Sequence, residues 1–168
     1  MRSCGILMHI TSLPSPYGIG TFGAEAERFA DWLRSAGQKY WQVLPIGPTG
    51  YGDSPYQPFS SFAGDPLLID LDELAENGYL ARSSVMEADY GADPTFVDYD
   101  KIRGVKMALL KEAFAGFTDD VGYTSFVMDE GDWLEDYALF AALKERFGNR
   151  PWTEWEESIK LRKPEAVK

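Results

Sequence analysis

The sequence predicts an α/β segment over residues 1–78 followed by an all-helical segment over residues 79–168. Three observations carry that reading. Two short apolar runs, residues 4–10 and 40–46, are continuous rather than alternating, which is the pattern of strands buried on both faces. Between them Phe22, Ala26, Phe29, Trp32, Leu33 and Ala36 recur at steps of three and four, the stripe of an amphipathic helix. Beyond Gly78 the chain holds helical stripes and no convincing strand.

The first run ends at His9 and Ile10, and the second is closed by Pro45, Gly47 and Pro48. In the helix between them, Glu25 and Glu27 occupy the first turn, where the macrodipole favours acids, and Gly37 stands where a left-handed cap belongs. Strand, helix and strand within roughly 45 residues form a βαβ unit, so the two strands are predicted to be parallel. A third apolar run, Leu67 to Ile69, passes into Asp70, whose spacing to Glu73 fits a capping box. The stripe Leu71, Leu74, Ala75 then stops at Asn77-Gly78. Asp100 opens a helix with the stripe Ile102, Val105, Leu109 and Ala113, ended by Gly116. Trp133 to Phe147 is apolar on most faces, predicting a buried helix stopped by Gly148-Asn149. Thr153 and Glu156 fit a second capping box opening a polar terminal helix, and residues 161–168 show neither stop nor core. A closed eight-stranded α/β barrel takes roughly 250 residues. With two or three strands in 168 residues, this chain is too short for one.

Composition narrows the function. The formal charge of −11 opposes binding to nucleic acid or to an anionic membrane. At 45% hydrophobic and 14% aromatic, the chain can bury a core. A single cysteine, Cys4, excludes an internal disulfide framework, and with a single histidine, His9, it excludes the usual zinc clusters. No run approaches the 18 or so apolar residues of a spanning helix, and the N-terminus has no signal-peptide core, so a cytoplasmic location is expected.

Two motifs invite chemistry and do not sustain it. Gly18 to Gly23 matches G-x-G-x-x-G, but seven residues (Thr11 to Tyr17) intervene after the strand, where a dinucleotide site needs its first glycine. The end of the second strand also holds Pro45-Ile46-Gly47-Pro48 in place of the acid that binds a ribose. These glycines are therefore read as permitting a tight loop before a helix. Gly52-Asp53-Ser54 resembles part of a serine-hydrolase elbow, but the fifth position is Tyr56 and Pro55 breaks the turn into a helix. His9 is read as a packed, hydrogen-bonded histidine.

The informative stretch is residues 47–65, a loop of 19 residues without periodicity at the C-terminal end of the second strand, the edge where α/β proteins bind ligands. Its aromatics are Tyr51, Tyr56, Phe59 and Phe62; its polar groups include Thr49, Ser54, Gln57, Ser60 and Ser61; its acids are Asp53 and Asp65; it has no basic residue. Aromatic faces beside neutral hydrogen-bonding groups suit a sugar, whereas phosphate would call for Arg or Lys. Phe59 and Phe62, lacking a polar handle, are expected to pin the loop to the core. Tyr51 and Tyr56, flanked by Gly and Pro, are expected to meet a ligand.

GILMHITSLPSPYGIG (5–20) and AGQKYWQVLPIGPTGYGDSPYQPFSSFAGDPLLIDL (36–71) closely resemble the opening of the amylomaltases, the 4-α-glucanotransferases also called disproportionating enzymes. VDYDKIRGVKMALLKEAF (97–114) and WLEDYALFAALKERFGNRPWTEW (133–155) are similar to the family's N-terminal insert, so the resemblance covers almost the whole chain. It implies the N-terminal part of a (β/α)8 TIM barrel, with its first strands and helix, followed by a helical insert subdomain. The implied division is 1–78 for the barrel portion with its glucan loop and 79–168 for the insert.

The implied activity is transfer of α-1,4-glucan segments between malto-oligosaccharides by a retaining mechanism. A carboxylate forms a glycosyl-enzyme, and a carboxylic acid protonates the leaving oxygen and then deprotonates the acceptor. The family's catalytic carboxylates correspond to positions beyond residue 168, so no catalytic residue is assigned here; neither Asp53 nor Asp65 takes that role. Tyr56 and Ser54 match residues lining the glucan cleft, Tyr51 matches an aromatic at an accessory groove in some members, and Asp65 completes the substrate-side set. Many members carry Asn in place of Asp65, and Arg103 stands where at least one accessory groove has a second aromatic. The resemblance implies no cofactor and no metal. The expected partners are malto-oligosaccharides and the remainder of the barrel. A non-catalytic glucan-binding or structural fragment and a related α-glucan hydrolase are the competing readings.

Overall fold

The computed structural model describes residues 2–167, which divide into two compact units, Met1–Thr118 and Asp119–Lys168. The change in sequence character at residue 78 and this division of contacts fall at different places, because the helices up to residue 115 pack onto the α/β segment.

In the first unit the predicted βαβ element forms. Strand β1 (Gly5–Leu7) and strand β2 (Tyr40–Gln42) flank helix α1 (Ala24–Ser35), and the strands pair in parallel with Gly5 opposite Tyr40 and Leu7 opposite Gln42. Gly37 adopts φ +71° as the cap requires; its N–H reaches the Arg34 carbonyl, and the Gln38 N–H reaches that of Leu33 at 2.9 Å. Asn77-Gly78 and Gly148-Asn149 close their helices with the same pair of bonds.

Two burial expectations are corrected. Each strand is three residues long, with an exposed, half-buried, exposed pattern in place of burial on both faces. Of the stripe between the strands, Ala26 and Leu33 are buried, while Phe22 and Trp32 are half exposed. A sheet of two strands is too narrow to cover a helix stripe or to be covered on both sides.

The third apolar run forms a 3₁₀ turn, Pro66–Leu68, whose Leu67 N–H donates to the Asp65 carboxylate at 2.9 Å. Helix α2 (Leu71–Glu76) follows with the predicted cap, the Asp70 carboxylate accepting the Glu73 N–H at 3.0 Å. Helix α3 (Arg82–Glu87), which has no strong stripe in the sequence, leads to helix α4 (Tyr99–Ala115), capped by Asp98 two residues before the predicted Asp100. Tyr17, Leu71, Leu80, Val85, Leu109 and Ala113 form one cluster; Ile10, Leu13, Ala26 and Leu68 a second; Ile19, Leu67 and Ile102 a third. The glycines of the G-x-G-x-x-G match serve this packing. A Cβ at Gly20 would collide with the Ile10 carbonyl, and one at Gly23 with the Asp70 carboxylate.

The second unit contains α5 (Val121–Asp129), α6 (Leu134–Arg146) and α7 (Glu157–Lys160). Asp120 caps α5 by accepting the Tyr123 N–H at 2.7 Å. The expectation that residues 133–147 form a buried helix is corrected: no residue of α6 is buried, although Phe140 and Phe147 pack on Trp155 with ring centroids 5.9 and 5.4 Å away. A unit of about fifty residues has too little volume to enclose a helix on every side. The second capping box does not form either. Trp152–Glu154 makes a 3₁₀ turn, and α7 starts at Glu157 without a side-chain cap. Among the described residues, no helix is long and apolar enough to cross a membrane.

Candidate functional site

The site grows from the C-terminal ends of the paired strands. The Leu44 N–H donates to His9 Nδ1 at 3.3 Å, tying the two exits together. Burial lowers the His9 pKa, opposed in part by the Asp65 carboxylate, so the imidazole is neutral at pH 7. His9 is therefore the packed, hydrogen-bonded residue that its place in the sequence suggests.

Residues 47–65 form an ordered loop. Its flanks meet in an antiparallel bridge between Thr49 and Pro58, the Phe59 N–H reaches the Pro48 carbonyl at 3.1 Å, and the Asp65 N–H reaches that of Ile46 at 2.8 Å. At the tip, Tyr51–Asp53 makes a 3₁₀ turn in which Gly52 and Asp53 both take left-handed backbone, φ +76° and +51°. Ser54, Pro55, Tyr56 and Gln57 then turn back, with the Gln57 N–H on the Ser54 carbonyl at 3.1 Å.

Helix α4 supports this loop from the side. Arg103 Nη2 donates to Asp53 Oδ1 at 2.5 Å and to Thr49 Oγ1 at 3.4 Å. One turn on, Lys106 is fully buried and donates from Nζ to the Leu67 and Ile69 carbonyls, each at 2.7 Å. Burial pulls its ammonium down to about 8, against the opposing charges of Asp70 and Asp65. Sequence reasoning missed Lys106. Its signal is position: 102, 106, 109 and 113 share one face of α4, and those four residues are the buried ones.

A cavity of about 150 Å³ lies under the loop, lined by His9, Thr49, Asp53, Pro55, Asp65 and Tyr99 among others. Burial pushes the Asp65 carboxyl up, against hydrogen bonds from the Leu67 and Thr49 backbone and the charges of Arg103 and Lys106. Of the predicted substrate residues, Asp65 lines this cavity, while Ser54 and Tyr56 flank Pro55, which lines it too. The Tyr56 ring is 69% exposed. The side chain of Tyr51 lies outside the described residues. The expected anchoring role of Phe62 is corrected, since it is 71% exposed; Phe59 is half exposed and its ring lies under Gly50. The loop is held by its own backbone bridge and by α4.

A parallel strand pair whose second strand runs into an ordered loop, over a cavity lined by hydroxyl, carboxyl and a neutral imidazole, has the ligand-binding edge of an α/β protein. The chain belongs to the 4-alpha-glucanotransferase family, whose model matches residues 8–168. It is 49% identical to the 4-alpha-glucanotransferase of Clostridium butyricum over 95% of this chain and 33% of that protein. It is likewise 49% identical to the 4-alpha-glucanotransferase of Thermus thermophilus, over 99% of this chain and 34% of that one. The fold matches the amylomaltase from Streptococcus agalactiae in complex with acarbose at a TM-score of 0.91 and 42% identity, over 99% of this chain and 34% of that structure. The chain thus spans about a third of the length of the relatives it matches.

Proposed function

We propose that this chain is the N-terminal portion of a 4-α-glucanotransferase that moves α-1,4-glucan segments between malto-oligosaccharides by the retaining mechanism. The observation that carries the proposal is the ordered 47–65 loop at the exit of a parallel βαβ unit, within a chain that matches family members along its length. In this reading β1, α1 and β2 begin a (β/α)8 barrel, residues 79–168 form the helical insert, and the rest of the barrel pairs against the sheet where Leu7 and Tyr40 stand exposed. The carboxylate nucleophile and the acid/base lie beyond residue 168, in the cytoplasmic protein's remaining strands.

This chain's own share of the work is binding. Tyr56 offers an exposed ring for one glucose face, Ser54 and Asp65 offer hydrogen-bonding groups, and Tyr51 is carried on the same loop for a second stretch of glucan. Among the described residues lining the cavity, His9 is the one basic side chain and it is neutral, which suits an uncharged sugar over a phosphate.

The test uses a chain of the relatives' full length that carries these residues. With maltotriose it should release glucose and build longer maltodextrins, and hydrolysis to glucose and maltose alone would overturn transfer. Tyr56→Ala should lower kcat/KM on the order of a hundredfold, the cost of misplacing a substrate by about 1 Å. Its melting temperature should stay within a few degrees, because in this reading the ring faces glucan and not a core. A much earlier melt with activity per folded molecule intact would remove Tyr56 from the substrate site.

A further inference from the structure

We propose that Arg103 is a positioning residue for the Ser54–Tyr56 segment, holding the loop tip in the one backbone shape that presents this segment to glucan; the inference rests on the function proposed above. Three observations meet at its guanidinium. The same nitrogen, Nη2, reaches Asp53 Oδ1 at the tip of the loop and Thr49 Oγ1 at its base, so one planar group spans the loop. Asp53 sits at φ +51°, directly after Gly52 at +76°. That region is rare for residues with a side chain, though Asp and Asn tolerate it better than most. Asp53 and Arg103 are both partly buried, at 26% and 35% exposure, so solvent and salt screen the contact less than a surface pair.

The order along the chain gives the contact its consequence. Asp53 immediately precedes Ser54, and the backbone direction at Asp53 sets where Ser54, Pro55 and Tyr56 begin. Gly52 and Asp53 in left-handed backbone reverse the chain, and the Gln57 N–H to Ser54 carbonyl bond closes the next turn. Arg103 is itself fixed. It lies one turn before Lys106, whose ammonium anchors α4 to the Leu67 and Ile69 carbonyls, and one residue after the fully buried Ile102. The guanidinium is thus a fixed post and the loop tip is the part it places. Lysine should substitute only in part, because its ammonium is more strongly hydrated than a guanidinium and sits on a flexible stem.

The experiment again uses the full-length protein, with two readouts: maltotriose kinetics and hydrogen exchange of the Asp53 and Gln57 amides. Arg103→Met should speed exchange at both amides at least tenfold and raise KM about tenfold, with a smaller change in kcat and a melting temperature within a few degrees of the parent. Arg103→Lys should recover part of both effects. Asp53→Asn keeps an acceptor oxygen and removes only the charge, so it should show part of the Arg103→Met effect, and the double variant should be no worse than Arg103→Met, which already lacks the contact. Added NaCl should raise KM in the parent and leave it flat in Arg103→Met. Unchanged exchange at the tip overturns the proposal, and so does faster exchange with KM unmoved. A fall in melting temperature with KM and exchange both unmoved assigns Arg103 to stability alone and overturns it as well. A parent protein that cannot rearrange maltotriose sinks the glucan reading instead, and the exchange data then still decide whether Arg103 holds the loop.

Discussion

Residues 2–118 close their core around Leu71, Val85 and Ile102, each fully buried, whereas among the described residues of the second unit only Trp155 and Ile159 are buried. Both stretches carry helices, acidic caps and the same glycine closures, so local structure does not separate them. Depth does. In the first unit, helices α2 to α4 pack on a βαβ frame, and segments distant in sequence share three clusters. In the second, α6 keeps a half-exposed apolar face, and its packing is a stack of rings on Trp155. Helical propensity can shape a unit of fifty residues, but its surface is too large for its volume to give a deep core.

Core truncation should separate the units most. Leu71→Ala is expected to cost about 2–5 kcal/mol in urea unfolding, the usual penalty for a buried leucine, while Phe140→Ala should cost about half as much because its ring is only partly covered. Equal losses would erase the contrast.

Lys106 gives a pH-dependent version of the same contrast. Its pKa is about 8 in the folded chain against an ordinary 10.5, so between those values the unfolded chain holds more protons. Stability should therefore rise as pH climbs from 8 to 10.5, by up to about 3 kcal/mol, and the neutral amine can still donate to both carbonyls. Lys106→Met should flatten that slope while losing about 1–3 kcal/mol at pH 7, since two buried carbonyls lose their donor. A parent whose stability does not rise relative to Lys106→Met across this window would contradict the burial assigned to the ammonium.

Removing a cap should show how far damage travels. Asp98→Ala and Asp120→Ala each delete one carboxylate cap, worth about 1 kcal/mol. Hydrogen exchange should spread along α4 and into its buried neighbours in the first case and stay within residues 121–129 in the second. The smallest effect is expected from Arg162→Gln, which breaks an exposed pair with Asp136; the melting temperature should not move measurably.

Much of this was legible locally. The parallel βαβ unit, the Gly37, Gly78 and Gly148 closures and the Asp70 cap follow from residue spacing, because each depends on neighbours within one or two helical turns. The loop 47–65 was legible as an ordered segment from its aromatics. What holds it was not. Phe62 had the composition of an anchor, yet it stands exposed, while Arg103, fifty residues from Asp53 in sequence, ties the loop tip to α4. The missing cap at Thr153 shows the opposite failure, a correct local pattern without the helix start it needs.

The sequence by itself determined where the backbone turns, caps and pairs, since those choices are made by φ preferences and short-range hydrogen bonds. Tertiary structure alone decided which apolar faces are covered and which charges are enclosed. Trp32 is half exposed while Lys106 is fully buried, the reverse of their hydropathies. The reason is that burial depends on what packs against a side chain: two strands are too narrow to cover the α1 stripe, and two backbone carbonyls within 2.7 Å make the interior habitable for an ammonium.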